Sequence, residues 1–252
     1  MLQVTPNGPW GKDVHPKLPV SLDEVLADLR ECFRAGATGV HLHVRDESGA
    51  ETFDPAVVAQ TCRRVRDVAT EVGVTAEIGL TTGAWIVPDL ANRISMIREW
   101  EGVDCATVNV SESGFESVMQ VMADAGIGID VGLWAPVEVD LLLASGFLPH
   151  VMRISIELAP GEPYHLSGEP SALAQRVNDA LDEAESACPR LTHGMNAWTW
   201  PLIADAFRRG HDTRVGFEDS VYLPDGTEAL SNAQLVQAAV ALYPSIAKGR
   251  GQ

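Results

Sequence analysis

The sequence has few basic residues and no paired cysteine motif. The first argues against partners that carry negative charge, and the second argues against a disulfide-bonded secreted protein. Lysine and arginine together number 18 against 35 aspartate and glutamate residues, which gives a formal charge of −17. A surface of that sign repels phosphate backbones and anionic lipid, so we expect neither nucleic acid nor a membrane as a partner. The four cysteines of this 252-residue chain form no CxxC pair, whereas disulfide frameworks are denser and occur in smaller secreted chains. We therefore expect a cytoplasmic protein.

Long apolar runs and the glycine pattern of dinucleotide-binding folds are also missing. No window reaches the roughly 18 consecutive apolar residues that a membrane span requires. The first thirty residues contain no basic segment followed by an apolar block, so a signal peptide is not predicted and we expect a soluble protein. The glycines of AGIGIDVG lack the GxGxxG spacing, which argues against a dinucleotide site.

Short apolar strands instead alternate with amphipathic helices along the whole chain. Ser21 and Glu24 form a capping box before the first helix, and Asp54-Pro55 opens the second. About eight strands and eight helices follow in units of about thirty residues, with no break in composition that would mark a linker. The predicted strands lie near residues 2–4, 40–44, 74–80, 104–110, 126–133, 150–158, 190–195 and 212–217. The pattern predicts an α/β fold, a single (β/α)8 TIM barrel that occupies residues 1–252 as one domain.

Two histidines stand two places apart in the apolar run GVHLHV. Residues i and i+2 of a strand share a face, so His41 and His43 point the same way. Near the other end of the chain, TRVGFEDSVYLPDG carries a predicted strand into Glu218 and Asp219, with Arg214 four residues before Glu218. In a closed barrel, strands two and eight both neighbour strand one, and their ends lie about 10 Å apart.

These positions predict a metal site made of His41, His43 and Glu218. Two imidazoles and one carboxylate suit catalytic Zn(II), with Fe(II) or Mn(II) as weaker candidates. A lone buried histidine more often completes a core, and an Arg–Asp pair is more often a salt bridge. The combination at neighbouring strand ends favours the metal. Asp46, Glu51 and Asp54 are assigned to loops and caps.

Two separated motifs resemble those of the β-keto acid cleavage enzyme family. They are HLHVRDESG followed by TFD, and RVGFEDSVYLPDG followed by SNAQLV; LPVSLDEVLADLRECFRAGATGVHLHVRD extends the similarity toward the front. The resemblance implies a zinc-dependent barrel, usually a homotetramer. It further implies an enzyme that condenses a β-keto acid with acetyl-CoA and releases acetoacetate and a new acyl-CoA by retro-Claisen cleavage.

The same resemblance assigns roles to individual residues. His41, His43 and Glu218 match the zinc ligands, and Arg214 with Asp219 matches the basic dyad, in which Asp219 is the candidate base. A metal that binds the keto and carboxylate oxygens would stabilise the enolate formed on proton loss.

Five further residues are predicted to bind substrate. Thr81 matches a family serine at the end of strand three, with Thr82 beside it, and Asp130 matches a strand-five glutamate. Thr107 and Asn109 occupy the region of a hydroxyl-bearing contact on strand four. Turn chemistry explains Thr81 and Thr82 equally well.

Two other functions stay open at this point. A metal-dependent hydrolase of the amidohydrolase type would need further histidines at the ends of strands five and six. His150 begins its strand, and His193 ends strand seven. A non-catalytic metal-containing binding barrel would close its metal site with a fourth protein ligand, and strands one, two and eight offer none. Coenzyme A is anionic and needs a local basic patch, for which Arg45 and Arg93 are the candidates.

Overall fold

Eight parallel strands form the centre of the structure, a computed structural model that describes residues 1–161 and 164–242. The strands are β1 (Leu2–Val4), β2 (Gly39–Leu42), β3 (Glu77–Thr81), β4 (Cys105–Asn109), β5 (Gly128–Leu133), β6 (Val151–Leu158), β7 (Arg190–Gly194) and β8 (Thr213–Val215). They pair in the order β7-β6-β5-β4-β3-β2-β1-β8. A parallel bridge between Leu191 and Asp212 joins β7 to the segment before β8. The sheet therefore closes on itself, and the predicted TIM barrel is confirmed.

Helices between the strands cover the outside of the barrel. They are α1 (Leu22–Ala35), α2 (Pro55–Glu71), α3 (Leu90–Arg98), α4 (Phe115–Ala125), α5 (Glu138–Ser145), α6 (Pro170–Glu183), α7 (Thr199–Arg209) and α8 (Asn232–Leu242), with short 3-10 helices at Leu148–His150 and Asn196–Trp198. The Ser21–Glu24 capping box and the Asp54 cap are both present as predicted. Among the described residues, no helix is long and apolar enough to cross a bilayer, and all four cysteines are free thiols.

Strand β8 is shorter than the predicted 212–217 because the chain turns at Gly216. The amides of Asp219 and Ser220 both donate to the Gly216 carbonyl, at 2.9 Å each. A Cβ atom at Gly216 would lie 2.1 Å from the carbonyl oxygen of Thr5, so only glycine permits this approach of the two segments. The turn carries Glu218 and Asp219 back over the end of the barrel.

Alternation along the strands separates two environments. Aliphatic side chains such as Val40, Ile78 and Ile156 are fully buried in the layer that also contains the inward faces of the helices. Polar side chains meet one another across the barrel interior; Arg153 on β6, for example, donates to Glu77 on β3 at 2.7 Å. The interior is therefore lined with groups that can bind or react. That the whole range 1–252 forms one domain stays a prediction, because residues 162–163 and 243–252 lie outside the described part.

Candidate metal centre and active site

The three predicted ligands converge at the carboxyl ends of β2 and β8. Glu218 Oε1 lies 3.9 Å from His41 Nε2 and 3.7 Å from His43 Nε2, and one ligand atom from each residue lies within 4.8 Å of the others. Ligands bound tetrahedrally at 2.0–2.2 Å from one ion are roughly 3.4 Å apart. All three side chains are buried. The structure therefore brings the three predicted ligands together, and they could hold a metal ion; their role as ligands stays a prediction.

Neighbouring groups orient the two imidazoles. His43 Nδ1 donates a hydrogen bond of 2.6 Å to Glu51 Oε1, and His41 Nδ1 lies 3.4 Å from the Thr107 hydroxyl. Each ring therefore turns its Nε2 toward Glu218, which is the usual arrangement of metal-binding histidines.

Two further observations fit a cation at this point. Glu218 Oε2 is buried and has no hydrogen-bond partner in the described residues, a cost that a bound cation would remove. Burial, together with the nearby Arg214 guanidinium, holds the pKa of His41 well below its usual range. His41 is thus a neutral imidazole, the form that binds a metal ion. At His43, burial lowers the pKa, but the Glu218 and Glu51 carboxylates outweigh it and raise the pKa above its usual value.

Arg214 joins the proposed metal ligand to the proposed base. Its Nη2 donates to Glu218 Oε1 at 3.0 Å and to Asp219 Oδ1 at 2.9 Å. The Thr5 hydroxyl donates to Asp219 Oδ2 at 2.7 Å. Burial raises the pKa of Asp219, but the Arg214 charge outweighs it and brings the pKa to about 2. Asp219 is therefore an ionised carboxylate with a fixed direction.

His193 and Glu157 extend this arrangement, and neither was among the residues predicted for the site. Arg214 Nε donates to His193 Nδ1 at 3.1 Å. His193 Nε2 faces Glu157 Oε2 at 3.5 Å, and Arg214 Nη2 lies 3.6 Å from Glu157 Oε1. Glu157 is the penultimate residue of β6. An acidic residue at the carboxyl end of a barrel strand is typical of an active site, so its position in the sequence could have indicated a role.

Glu51 lies in the loop between β2 and α2, as predicted, but its carboxylate contacts the site, which the prediction did not include. A short hairpin at Asp46–Gly49, closed by a bridge between Arg45 and Glu51, returns the Glu51 carboxylate to His43. Its second oxygen accepts from Trp85 Nε1 at 3.0 Å. A carboxylate behind a metal-binding histidine is common, so an acidic residue shortly after HLH was a usable signal.

The predicted substrate contacts on β3 and β4 lie near the same end of the barrel but have internal partners. The Thr81 hydroxyl accepts from the Gly83 amide at 3.1 Å, and the Thr82 hydroxyl donates to the Thr107 carbonyl at 2.7 Å. Thr107 has its side chain beside His41. Contact of these threonines with substrate stays a prediction.

Asn109 bridges two loops. Its amide nitrogen donates to Glu112 Oε1 at 3.3 Å, and its amide oxygen accepts from Trp134 Nε1 at 3.1 Å. A substrate contact would compete with these bonds, and it too stays a prediction.

Asp130 is held inside the barrel by a buried arginine. Arg153 Nε donates to Asp130 Oδ2 at 3.0 Å, and the Ser155 hydroxyl donates to Oδ1 at 2.6 Å. Asp130 and Arg153 are 2% and 3% exposed. Both carboxylate oxygens are therefore occupied by protein donors.

The two candidate phosphate-binding arginines are also engaged. Arg93 is 2% exposed and lies 3.4 Å from Glu112 Oε2. Arg45 donates to the carbonyls of Gly8 and Gly49 at 2.8 and 2.9 Å. Because Arg93 is buried, it is not part of a basic surface patch, and its assignment as a phosphate contact is not supported.

Fold and site together define a (β/α)8 barrel with a candidate metal centre at the carboxyl ends of its strands. A family model described as beta-keto acid cleavage enzyme matches residues 1–248. The chain belongs to that family, and the resemblance drawn from the sequence motifs is confirmed.

Two curated relatives match over most of their length. The 3-keto-5-aminohexanoate cleavage enzyme of Fusobacterium nucleatum subsp. nucleatum is 25% identical over 243 residues, covering 94% of this chain and 88% of the relative. The 3-dehydrocarnitine:acetyl-CoA trimethylamine transferase of Rhizobium meliloti is 26% identical over 267 residues, covering 91% of this chain and 85% of the relative.

Solved structures share the barrel at lower identity. ObcA, in a ternary complex with a C4-CoA adduct and oxalate, superposes with a TM-score of 0.66 at 16% identity, over 94% of this chain and 65% of ObcA. The chain thus spans slightly less than two thirds of the ObcA chain. A structure described as native KDPGal superposes with a TM-score of 0.58 at 17% identity, over 98% of this chain and 96% of that one. Both similarities concern the fold.

Proposed function

We propose that this protein condenses a β-keto acid with acetyl-CoA and releases acetoacetate and a new acyl-CoA by retro-Claisen cleavage. We further propose that it does so with one zinc ion held by His41, His43 and Glu218. Family membership supports the reaction class; one relative is named a 3-keto-5-aminohexanoate cleavage enzyme, and another a 3-dehydrocarnitine:acetyl-CoA trimethylamine transferase. The observation that carries the proposal is the convergence of the three ligands beside Arg214 and Asp219.

The metal would supply Lewis acidity toward the keto and carboxylate oxygens of the substrate. Asp219 takes the proton from the carbon between the two carbonyl groups. Arg214 and Thr5 fix the direction of the Asp219 carboxylate, so the base does not have to be ordered during the reaction. Arg214 also brings positive charge close to the carbon that becomes negative.

The carbanion then attacks the thioester carbonyl of acetyl-CoA, and the coenzyme A thiolate passes within the adduct to the keto carbon of the substrate. The bond between that keto carbon and the attacking carbon breaks, which gives the new acyl-CoA and the enolate of acetoacetate. Asp219 returns its proton to this enolate, so acetoacetate leaves and the base is regenerated. A water-poor centre favours this order, because water would otherwise quench the carbanion. The side chains of Arg214, Asp219 and His193 are at most 3% exposed, which meets that requirement.

Specific observations count against the two other functions. The amidohydrolase pattern needs histidines at the ends of β5 and β6, but these strands end at Leu133 and Leu158. His150 lies in the 3-10 helix before β6. In the described residues the metal group that contains His41 has three members and no fourth protein ligand, and three protein ligands is the number typical of a catalytic site.

The surroundings of Asp130 bear on the substrate class. Arg153 and Ser155 take up its carboxylate, so we propose that Asp130 supports the barrel and does not bind substrate. A cationic keto acid would then find no free carboxylate on β5. We keep a cytoplasmic location and a homotetramer as predictions from the sequence.

The decisive experiment combines metal analysis with a substrate screen. We expect about one zinc per chain and acetoacetate release from acetyl-CoA with at least one member of a panel of cationic, neutral and anionic β-keto acids. His41→Ala and His43→Ala should lose zinc and activity together. His150→Ala, an exposed histidine away from the site, is the matched control and should keep both.

A second variant separates the base from the metal. Asp219→Asn should keep zinc but stop the exchange of the acidic proton of the substrate with solvent deuterium. Retention of full zinc by both histidine variants would refute the ligand set, and unimpaired exchange in Asp219→Asn would remove Asp219 as the base.

A further inference from the structure

We propose that His193 and Glu157 are positioning residues that hold the Arg214 guanidinium against Asp219 through a chain of contacts from β6 to β8. The inference rests on the proposed function, in which Asp219 is the base. Neither residue belongs to the proposed ligand set, and neither has a role in the reaction described above.

The first link is the contact between Arg214 and His193. Arg214 Nε donates to His193 Nδ1 at 3.1 Å, and the same nitrogen lies 3.3 Å from Asp219 Oδ1. An arginine side chain has several rotatable bonds and donates but never accepts. The acceptor on His193 therefore fixes the Nε edge of the guanidinium, while Nη2 reaches Asp219 and Glu218.

The second link follows from the tautomer of His193. Two groups lie near His193 Nδ1: Arg214 Nε, which can only donate, at 3.1 Å, and Asp219 Oδ1 at 3.5 Å. The shorter contact with Arg214 assigns the lone pair to Nδ1, so the imidazole hydrogen lies on Nε2. Nε2 is buried and has no hydrogen-bond partner in the described residues; the carboxylate facing it is Glu157 Oε2, at 3.5 Å. Glu157 favours the Nε2–H tautomer electrostatically, as carboxylates behind functional histidines do.

The backbone fixes where this pair sits. Glu157 and His193 are register partners in the parallel ladder between β6 and β7, and His193 is 0% exposed. The imidazole therefore has no room to turn away. If the imidazole were removed, the Arg214 side chain could rotate toward Glu157 Oε1, which lies 3.6 Å from Nη2. The hydrogen bond from Arg214 to Asp219 would then weaken.

Two substitutions at position 193 isolate the acceptor. Leucine fills a similar volume and has no polar atom, whereas asparagine places its amide oxygen close to the position of Nδ1. We expect His193→Leu to keep zinc and the KM for acetyl-CoA but to lose about 10- to 100-fold in kcat, the rate equivalent of one hydrogen bond to a charged group. The rate of substrate proton exchange should fall with it. His193→Asn should recover most of that loss.

Position 157 tests the chain of contacts from its other end. Glu157→Gln keeps an oxygen acceptor for Nε2–H, and Glu157→Leu removes it, so kcat should be several-fold lower in the leucine variant than in the glutamine variant. If His193→Leu does not fold, this comparison of the two Glu157 variants still tests the proposal. Equal kcat in wild type and His193→Leu, equal losses in His193→Leu and His193→Asn, or equal kcat in the two Glu157 variants would each overturn the proposal.

A spectroscopic measurement tests the geometry without any turnover. Nitrogen-15 NMR of the histidine side chains should give His193, assigned by its loss in His193→Asn, as the neutral Nε2–H tautomer. His15 is an internal reference, because its Nδ1 accepts from the Lys17 amide at 3.1 Å and its Nε2 lies 3.0 Å from the Ala229 carbonyl. An Nδ1–H tautomer or an imidazolium at His193 would overturn the proposal. Failure of the proposed function would instead appear as wild-type protein that lacks zinc or releases no acetoacetate.

Discussion

Replacement of Asp28 by asparagine should stabilise the protein at neutral pH and remove a pH dependence of its stability. Asp28 lies on α1, where Oδ2 accepts from Asn232 Nδ2 at 2.9 Å and faces Cys32 Sγ at 3.7 Å. Burial raises the pKa of Asp28 from 3.8 to about 6, although the Asn232 and Cys32 contacts lower it in part. Asn232 in turn accepts from the Phe217 amide at 2.7 Å, next to the proposed ligand Glu218.

The magnitude follows from that shift. A rise from 3.8 to about 6 is roughly 2 pKa units, and each unit corresponds to about 1.4 kcal/mol, so the free energy involved is about 3 kcal/mol. The folded-state pKa lies above the unfolded one, so folding takes up a proton between these values. Stability is therefore full below 3.8 and falls as pH rises through about 6. An asparagine at position 28 never ionises, and its amide oxygen can still accept from Asn232.

Urea unfolding over a series of pH values tests this reasoning. Asp28→Asn should exceed wild type by about 3 kcal/mol near pH 7, and the difference should disappear toward pH 4. Asp67→Asn removes the same charge from the exposed face of α2 and controls for net charge. A difference that stays constant with pH, or a less stable Asp28→Asn at neutral pH, would refute the argument.

Three further predictions concern the site and its supports. Glu51→Gln should weaken zinc binding about 10- to 100-fold, and an unchanged affinity in a chelator competition would contradict its role behind the imidazole. Gly216→Ala should cost about 3 kcal/mol because the new Cβ would lie 2.1 Å from the Thr5 carbonyl oxygen; an unchanged urea midpoint would contradict this. Asp130→Ala should cost about 1–3 kcal/mol, since the buried Arg153 would keep, among the described residues, only Glu77 as a carboxylate partner. A stability equal to wild type would instead suit an Asp130 that is open to substrate.

The fold and the convergence of His41, His43 and Glu218 could be predicted from the sequence because they depend on local rules. Alternation alone puts His41 and His43 on one face. The closed order of eight strands then brings Glu218 to them across β1, with no knowledge of side-chain packing. The break of β8 at Gly216 was the exception, because the need for glycine there comes from contact with Thr5, more than two hundred residues earlier in the chain.

Residues that depend on strand register could not be placed in the same way. Glu157 lies beside His193 because β6 pairs with β7 so that the two residues are partners, and the sequence does not fix that register. Asp130 faces Arg153 because the pairing of β5 and β6 shifts between Ile129 and Asp130. A one-residue irregularity of this kind changes which group a side chain meets.

The two shortest strands of the barrel, β1 and β8, have three residues each and lie side by side. Few backbone hydrogen bonds hold this seam, so it should open more readily than the longer pairs β4–β5 and β5–β6. Thr5, Glu218 and Asp219 sit directly above it. On heating, the protein should therefore lose its catalytic competence at a lower temperature than that at which the barrel melts, and a bound ion should narrow the gap between the two.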